Sequence, residues 1–372
     1  MHPRLLFILL PALFGIARLA AQNTAPAATA PQQQAAVPEP IQGAWYTAGA
    51  GQSMRTEREY LDVGMTVQGN WNALRQTRNE MLATRSGQLL PEDREQLRLR
   101  ADDLARMAPN SFEAHMARYY AEFPATAAME ALSAAYQVAP DRTELAGPML
   151  GAALRNGDKA GVDQWATRLA APGMVTNPLL DYATDLLASV DRNAVIFTNG
   201  DLDTYPALVR VHAGRVRPDV LIIDRRSLND AAYRQRCWKD AGAKGQAPAD
   251  DPRFASQLAV ATDRPVYLAA SMERGWLDAL SPQLYCTGLA FRVGPAPADH
   301  MRALEQRWKA LHKTTEAGPL SRNYLMPGSL LLQHYRAAGD EGRTAAMEHE
   351  LRQLAKRIGA LDRLYQAGVL TH

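Results

Sequence analysis

Cysteine is nearly absent from these 372 residues: there are two, Cys237 and Cys286. Neither lies near the N-terminus, which excludes the lipid-bearing cysteine of a bacterial lipoprotein. An even count permits one disulfide between them, with two buried free thiols as the alternative, and a chain this long does not depend on such a staple. An excess of one charge is missing too. Of the 41 Lys and Arg, Arg4 and Arg18 fall in the leader described below, and the others are balanced by 39 Asp and Glu. A neutral chain carries no electrostatic footprint for nucleic acid or an anionic membrane. The one long apolar run, Leu5 to Ile16, is closed by Arg18, short of the roughly 20 residues that span a bilayer.

Several catalytic signatures are absent as well. There is no Gly-x-Ser-x-Gly elbow, no His-Glu-x-x-His and no Walker loop. Gly49-Ala50-Gly51 lacks a third glycine and a preceding strand, so it is not a dinucleotide fingerprint. The histidines from His115 to His372 have no metal-ligand spacing and read as surface or packed residues. No cofactor is predicted on these grounds.

What is present begins with an export signal over 1–21: a basic start, a short apolar core, and small residues up to a cleavage point after Ala21. The mature chain is therefore expected to be exported, periplasmic, and free of a transmembrane segment after cleavage. Residues 22–45, rich in Ala, Pro and Gln, lack the apolar side chains that would offset the entropy of ordering, and form a flexible lead-in.

Over 46–190 the periodicity is helical. Leu97, Ala101, Leu104 and Met107 make one stripe; Phe112, Met116 and Tyr119, then Met129, Leu132 and Tyr136, then Val162, Trp165 and Leu169 repeat it. Pro109, Pro140 and Pro172 punctuate the pattern at just over thirty residues, close to a tetratricopeptide-like helical hairpin. Pro148 is expected to interrupt one first helix of the repeat, so the repeat is degenerate. Asn177-Pro178 reads as an N-cap followed by proline.

Residues 191–297 read as a small α/β unit with three or four mainly parallel strands. Residues 194–198, 219–224, 265–269 and 289–293 are short, β-rich apolar runs. Helices are expected over 204–212 and 230–238, giving a right-handed crossover between parallel strands. A loop covers 242–252. Residues 298–372 form C-terminal helices, with Met301, Leu304, Trp308 and Leu311 in one stripe and Met347, Leu351, Leu354 and Ile358 in another.

The segment richest in chemistry follows the first strand: Asn199, Asp201, Asp203 and Thr204 lie just past its carboxyl end, where open α/β sheets bind ligands. Two carboxylates there can hold a divalent cation or act as acid and base. Asp203 is equally suited to cap a helix starting at Thr204, whereas Asp201 has no evident capping duty. Asn229, Tyr233 and Ser271 are candidate supporting residues.

The blocks 194–206, 217–220, 227–229 with Tyr233, 264–269 and 287–293 resemble, in order and spacing, the soluble C-terminal region of a bacterial family of multi-spanning membrane proteins related to protein O-mannosyltransferases. In that family the catalytic acid belongs to an N-terminal membrane domain of the GT-C type, so no residue here inherits a transferase role. Leu202 stands where the family usually has a second Asn, and Leu208-Val209 where it has an aromatic pair. The resemblance implies an accessory or binding module whose partner is an envelope protein or glycan. The competing reading is a metal-dependent enzyme on glycan or phosphoester substrates, using Asp201 and Asp203.

Overall fold

The computed structural model describes residues 58–84, 89–249 and 252–371. The expected signal and lead-in, 1–45, lie outside the described residues. Within them, helices dominate and a small mixed sheet of five strands sits in the middle of the chain. No helix among the described residues is long and apolar enough to cross a membrane.

The N-terminal helices follow from caps and stripes. After α1 (Arg58–Thr84), α2 (Pro91–Met107) starts with proline and two acids in its first turn, and the Asp93 carboxylate accepts from the Leu90 N–H at 2.8 Å. Its Leu97, Ala101 and Leu104 are buried as the spacing predicts. Ser111 caps α3 (Phe112–Glu122) by accepting from the Ala114 N–H at 3.1 Å. In α4 (Thr126–Val138) the predicted stripe is rotated: Ala128, Ala131, Leu132 and Ala135 are buried while Tyr136 is exposed. Small side chains let α4 approach α3 closely, which a stripe chosen by side-chain size misses.

Next come α5 (Ala146–Asn156), α6 (Lys159–Leu169), capped by Asp158, and α7 (Asn177–Ala188). Pro148 does not interrupt a helix. It is the third residue of α5, where its missing N–H is not needed. Thr176, not Asn177, precedes α7 as its cap residue, and proline stands one position deeper.

The sheet runs in the order β2-β1-β3-β5-β4, from β1 (Val195–Thr198), β2 (Leu221–Asp224), β3 (Val266–Ala269), β4 (Leu284–Cys286) and β5 (Ala290–Val293). β1 lies parallel to both β2 and β3, in register Val195 with Leu221 and with Val266. β5 is antiparallel to β3 and to β4, so the sheet is mixed rather than mainly parallel. The three-residue β4 had no apolar run long enough to announce it. Phe197 of β1 packs edge-on against Phe254 of α10 (Arg253–Ala261) and tilted against Trp276 of α11 (Arg274–Leu280). α8 (Asp201–Leu208) packs on α5 and α7, and α9 (Ala231–Asp240) carries the chain on from β2.

Cys237 on α9 and Cys286 on β4 are free and buried, so the possible disulfide is not formed. The two positions belong to opposite edges of the sheet, since α9 follows β2 and β4 is the far strand.

The chain closes with α12 (His300–Ala310), α13 (Leu325–Ala338), α14 (Glu341–Arg357) and α15 (Leu361–Gln366). These dock through Asp185 of α7, a buried carboxylate that accepts from the backbone N–H of His312 (3.0 Å) and Lys313 (3.1 Å) and from the Tyr324 hydroxyl (2.7 Å). Two apolar clusters result. One joins α1 to α4, and the other runs continuously from α5 through the sheet to the C-terminal helices.

Candidate functional site: the acidic turn at the carboxyl edge of the sheet

The parallel strands β1, β2 and β3 all end at one edge. Because β1 connects first to β2 on one side and the chain later returns as β3 on its other side, the β1/β3 gap is the topological switch point, where doubly wound sheets take ligands. Asn199, Asp201, Asp203 and Thr204 leave β1 at this edge, and Ser271 leaves β3.

The helix after β1 starts at Asp201, three residues earlier than expected, so Asp203 is not its cap residue. Gly200 precedes it and has no side chain to offer, and the two N–H groups just before the helix are met from inside its first turn instead. Both oxygens of Asp203 accept from the Asn199 N–H (3.0 and 3.1 Å), and the Thr204 hydroxyl accepts from the Gly200 N–H (3.3 Å) while bonding the Thr198 hydroxyl at 2.8 Å. The Ser271 hydroxyl donates to Asp203, and the Asn199 amide donates to the Ser271 carbonyl at 2.9 Å. The loops after β1 and β3 are thereby tied across the switch point. Burial raises the Asp203 pKa above the ordinary carboxylate value, against the pull of Ser271 and Asn199.

Asp201 faces the other way. Its carboxylate pairs with Arg78 of α1 and, at 2.6 Å, with Nη1 of Arg226. Arg226 turns its remaining donors onto Asp224, at 2.8 Å from Nη2 and 3.0 Å from Nε. The result is a chain of alternating charge, Arg78, Asp201, Arg226, Asp224, joining the N-terminal helices to the ends of β1 and β2. Aromatic faces flank it: the Arg78 guanidinium lies 4.3 Å from the Tyr120 ring centre and that of Arg226 lies 4.9 Å from Phe123. Burial alone would raise the Asp201 pKa; the two guanidinium groups outweigh it and hold the carboxyl at about 2. Arg78 is itself buried, and its Nε has no hydrogen-bond partner among the described residues.

On the outer rim Arg225 donates through Nε to the Asn199 side-chain oxygen (3.0 Å) and pairs with Glu273. Arg94, on the first turn of α2, donates to the Phe123 carbonyl.

The predicted site residues therefore divide. Asn199, Asp203, Thr204 and Ser271 form one buried network, and Asp201 belongs to a separate ionic chain. Tyr233 supports the edge from below, its hydroxyl accepting from the Asp224 N–H at 2.9 Å. Asn229 is exposed before α9 and joins neither network. Among the described residues no group of three His, Cys, Asp or Glu side chains is arranged to hold a metal ion. The arginines were missed. Arg225-Arg226, directly after an acid at a strand end, is a signal the sequence does carry, whereas nothing marks Arg78 or Arg94 as their neighbours.

Residues 179–240, which include this turn, match the family model of TMEM260-associated domain 2. The match runs from α7 through β1, α8 and β2 to the end of α9, and so contains Asp201, Asp203 and Arg226. TMEM260 is a protein O-mannosyltransferase-like protein, which fits loosely with the resemblance drawn from the sequence blocks. No curated protein and no solved structure matches the chain.

Proposed function

We propose that this chain is an exported, periplasmic accessory or binding module, non-catalytic, serving an envelope glycosylation or surface-assembly system through an envelope protein or glycan. The observation that carries this reading is that both acids of the turn are committed to holding the fold. Asp201 has each oxygen on a guanidinium, and Asp203 is occupied by a backbone N–H and the Ser271 hydroxyl. An acid held at about 2 by two arginines makes a poor proton shuttle near neutral pH. The similarity of residues 179–240 to a TMEM260-associated domain agrees with service beside a glycosyltransferase-like membrane protein.

The reading is tested by expressing the full chain with a C-terminal tag in its native host, crosslinking lightly, and identifying what co-purifies from the envelope. Recovery of a membrane glycosyltransferase or another envelope assembly complex supports it. A chain recovered alone that turns over glycan or phosphoester substrates only with added divalent cation overturns it in favour of the metal-dependent enzyme.

A further inference from the structure

The two apolar clusters divide the chain at the connection 139–145. Helices α1 to α4 close one cluster around Trp71, Leu104, Met116 and Leu132, to which Leu145 also belongs, and the other starts in α5. Among the described residues Met149 of α5 is the one half-buried apolar side chain packed against both. The N-terminal helices thus carry a core of their own, which stays closed if they part from the rest of the chain. Their ties to the sheet edge are of another kind. Arg78 of α1 pairs with Asp201 of α8, and the Phe123 ring, at the turn after α3, lies against the Arg226 guanidinium. The Pro124 carbonyl accepts from Nη1 of Arg155 at 2.6 Å, and Arg155 in turn holds Asp230 at 3.1 Å. α1 also passes the short helix Gly318–Tyr324. The connection itself is anchored to α6: Arg168 donates to the carbonyls of Pro140 (3.1 Å) and Asp141 (2.6 Å), and Tyr136 meets Trp165 edge-on.

Separating two intact units differs from deleting one partner of a buried ion pair. Deletion leaves the other charge buried, whereas separation lets water reach both. Released in this way, Arg78 gains hydration and Asp201 keeps Arg226, which offsets much of the pair that is lost. Opening at this junction therefore lies well below global unfolding in free energy.

We infer that α1 to α4 form a cover over the carboxyl edge of the sheet, latched by Arg78 and Arg155 and hinged at 139–145, which swings away as a folded unit. Closed, it masks Asp201 and the face of Arg226 beneath Phe123. Open, it presents a carboxylate and a guanidinium, joined at 2.6 Å, at the ends of β1 and β2. The contact is autoinhibitory, because a partner that binds this edge has to displace the N-terminal helices first. The inference deepens the binding-module reading and rests on it, by setting when the edge is available.

The test is a distance between the two units in the full chain. Leu99 on α2 and Val260 on α10 are exposed, at 59% and 89%, so Leu99→Cys with Val260→Cys accepts a pair of spin labels without entering either core, while Cys237 and Cys286 stay buried. Double electron–electron resonance should give one narrow distance in the otherwise unaltered chain. Arg78→Met with Arg155→Met removes the latch, and a second, longer distance should grow about tenfold or more in population, with amide exchange across α2 and α3 still slow. Arg78→Met alone serves if circular dichroism shows the two together to be unfolded. An unchanged distance in the folded variant overturns the cover. So does a longer distance with fast exchange throughout α2 and α3, which means that the helices melt rather than swing. If crosslinking captures an envelope partner while the distance never changes, the cover is wrong and the accessory reading stands. A distance that lengthens in a chain that captures no partner has the opposite meaning: the cover stands and the accessory reading fails.

Discussion

Replacing Asp201 with asparagine keeps the shape of the side chain and removes one charge. What it leaves behind sets the magnitude. Arg78 is 7% exposed and has no other carboxylate among the described residues, with its Nε already unpartnered there, so its guanidinium would be buried without a counter-ion. Arg226 keeps Asp224. The fall of the Asp201 pKa from 3.8 to about 2 corresponds to roughly 2 kcal/mol of favourable interaction in the folded state. Breaking a buried pair from one side costs more than that, about 3–5 kcal/mol, because the abandoned charge adds its own desolvation. Urea unfolding at neutral pH, followed by far-ultraviolet circular dichroism, measures the loss. Adding Arg78→Met to Asp201→Asn should restore a large part of it, since an apolar side chain of similar length has nothing to leave unpaired. A loss below about 1 kcal/mol for the single variant, or no recovery in the double, would refute the assignment of Asp201 as the tie between α1 and the sheet. The pH dependence has a definite sign. A carboxyl whose folded pKa lies below its unfolded value contributes stability above the unfolded value, and that contribution fades as pH falls from about 4 toward 2.

Asp203→Asn should behave differently, because Asp203 holds no guanidinium: an amide oxygen still accepts the Asn199 N–H, the Ser271 hydroxyl can turn to accept, and the cost should stay near or below about 1 kcal/mol by the same urea assay. Its raised pKa works in the opposite direction to that of Asp201, favouring the fold below the unfolded carboxyl pKa and losing this advantage as pH rises through the folded value, so the variant's stability should fall more steeply on acidification than that of the wild type. Gly288→Ala should lower stability by roughly 1–3 kcal/mol in thermal unfolding: φ is +127° there and the new Cβ would lie 2.5 Å from the Ser189 hydroxyl oxygen, which accepts the Leu289 N–H; an unchanged melting temperature would contradict this. Burial pushes both thiols, Cys237 and Cys286, up to about 12, so neither should react with iodoacetamide in the folded protein at pH 8 while both react in urea, as intact mass would record. Rapid labelling of the native chain would place them wrongly.

The local elements were legible wherever a residue type had one physical use. Leu97, Ala101 and Leu104 repeat at helical spacing and are buried, and the apolar runs at 195–198, 221–224 and 266–269 are strands buried on both faces. Failures occurred where a partner distant in sequence decides the outcome. Tyr136 looks like a core residue until the small face of α4 is turned toward α3. The antiparallel β4 is short enough that only its pairing with β5 defines it. Asp203 has good capping chemistry, but Ser271, on a loop 68 residues away, takes its carboxylate for a different duty.

The acidic turn concentrates this problem, and the distribution of its contacts says more about function than its composition does. Asp201 and Asp203 are two residues apart and invite a joint role, yet one is joined to a helix 123 residues earlier and the other to the loop after β3. A site whose acids were needed together on a metal or substrate would gain from keeping both on one side with free oxygens. Here each is used to fasten a different neighbour, and the side chains left with unused donors are basic. The N-terminal helices are held to this edge by the Arg78–Asp201 pair. The helical region thus contributes a buried charge to the sheet edge rather than hanging from it as an appendage. Weakening that pair should therefore loosen the N-terminal helices before the α/β unit: in a folded Asp201→Asn chain amide exchange should rise more across α1 than across β1, and protection in α1 equal to that of the wild type would mean that the pair does not hold the helices to the edge.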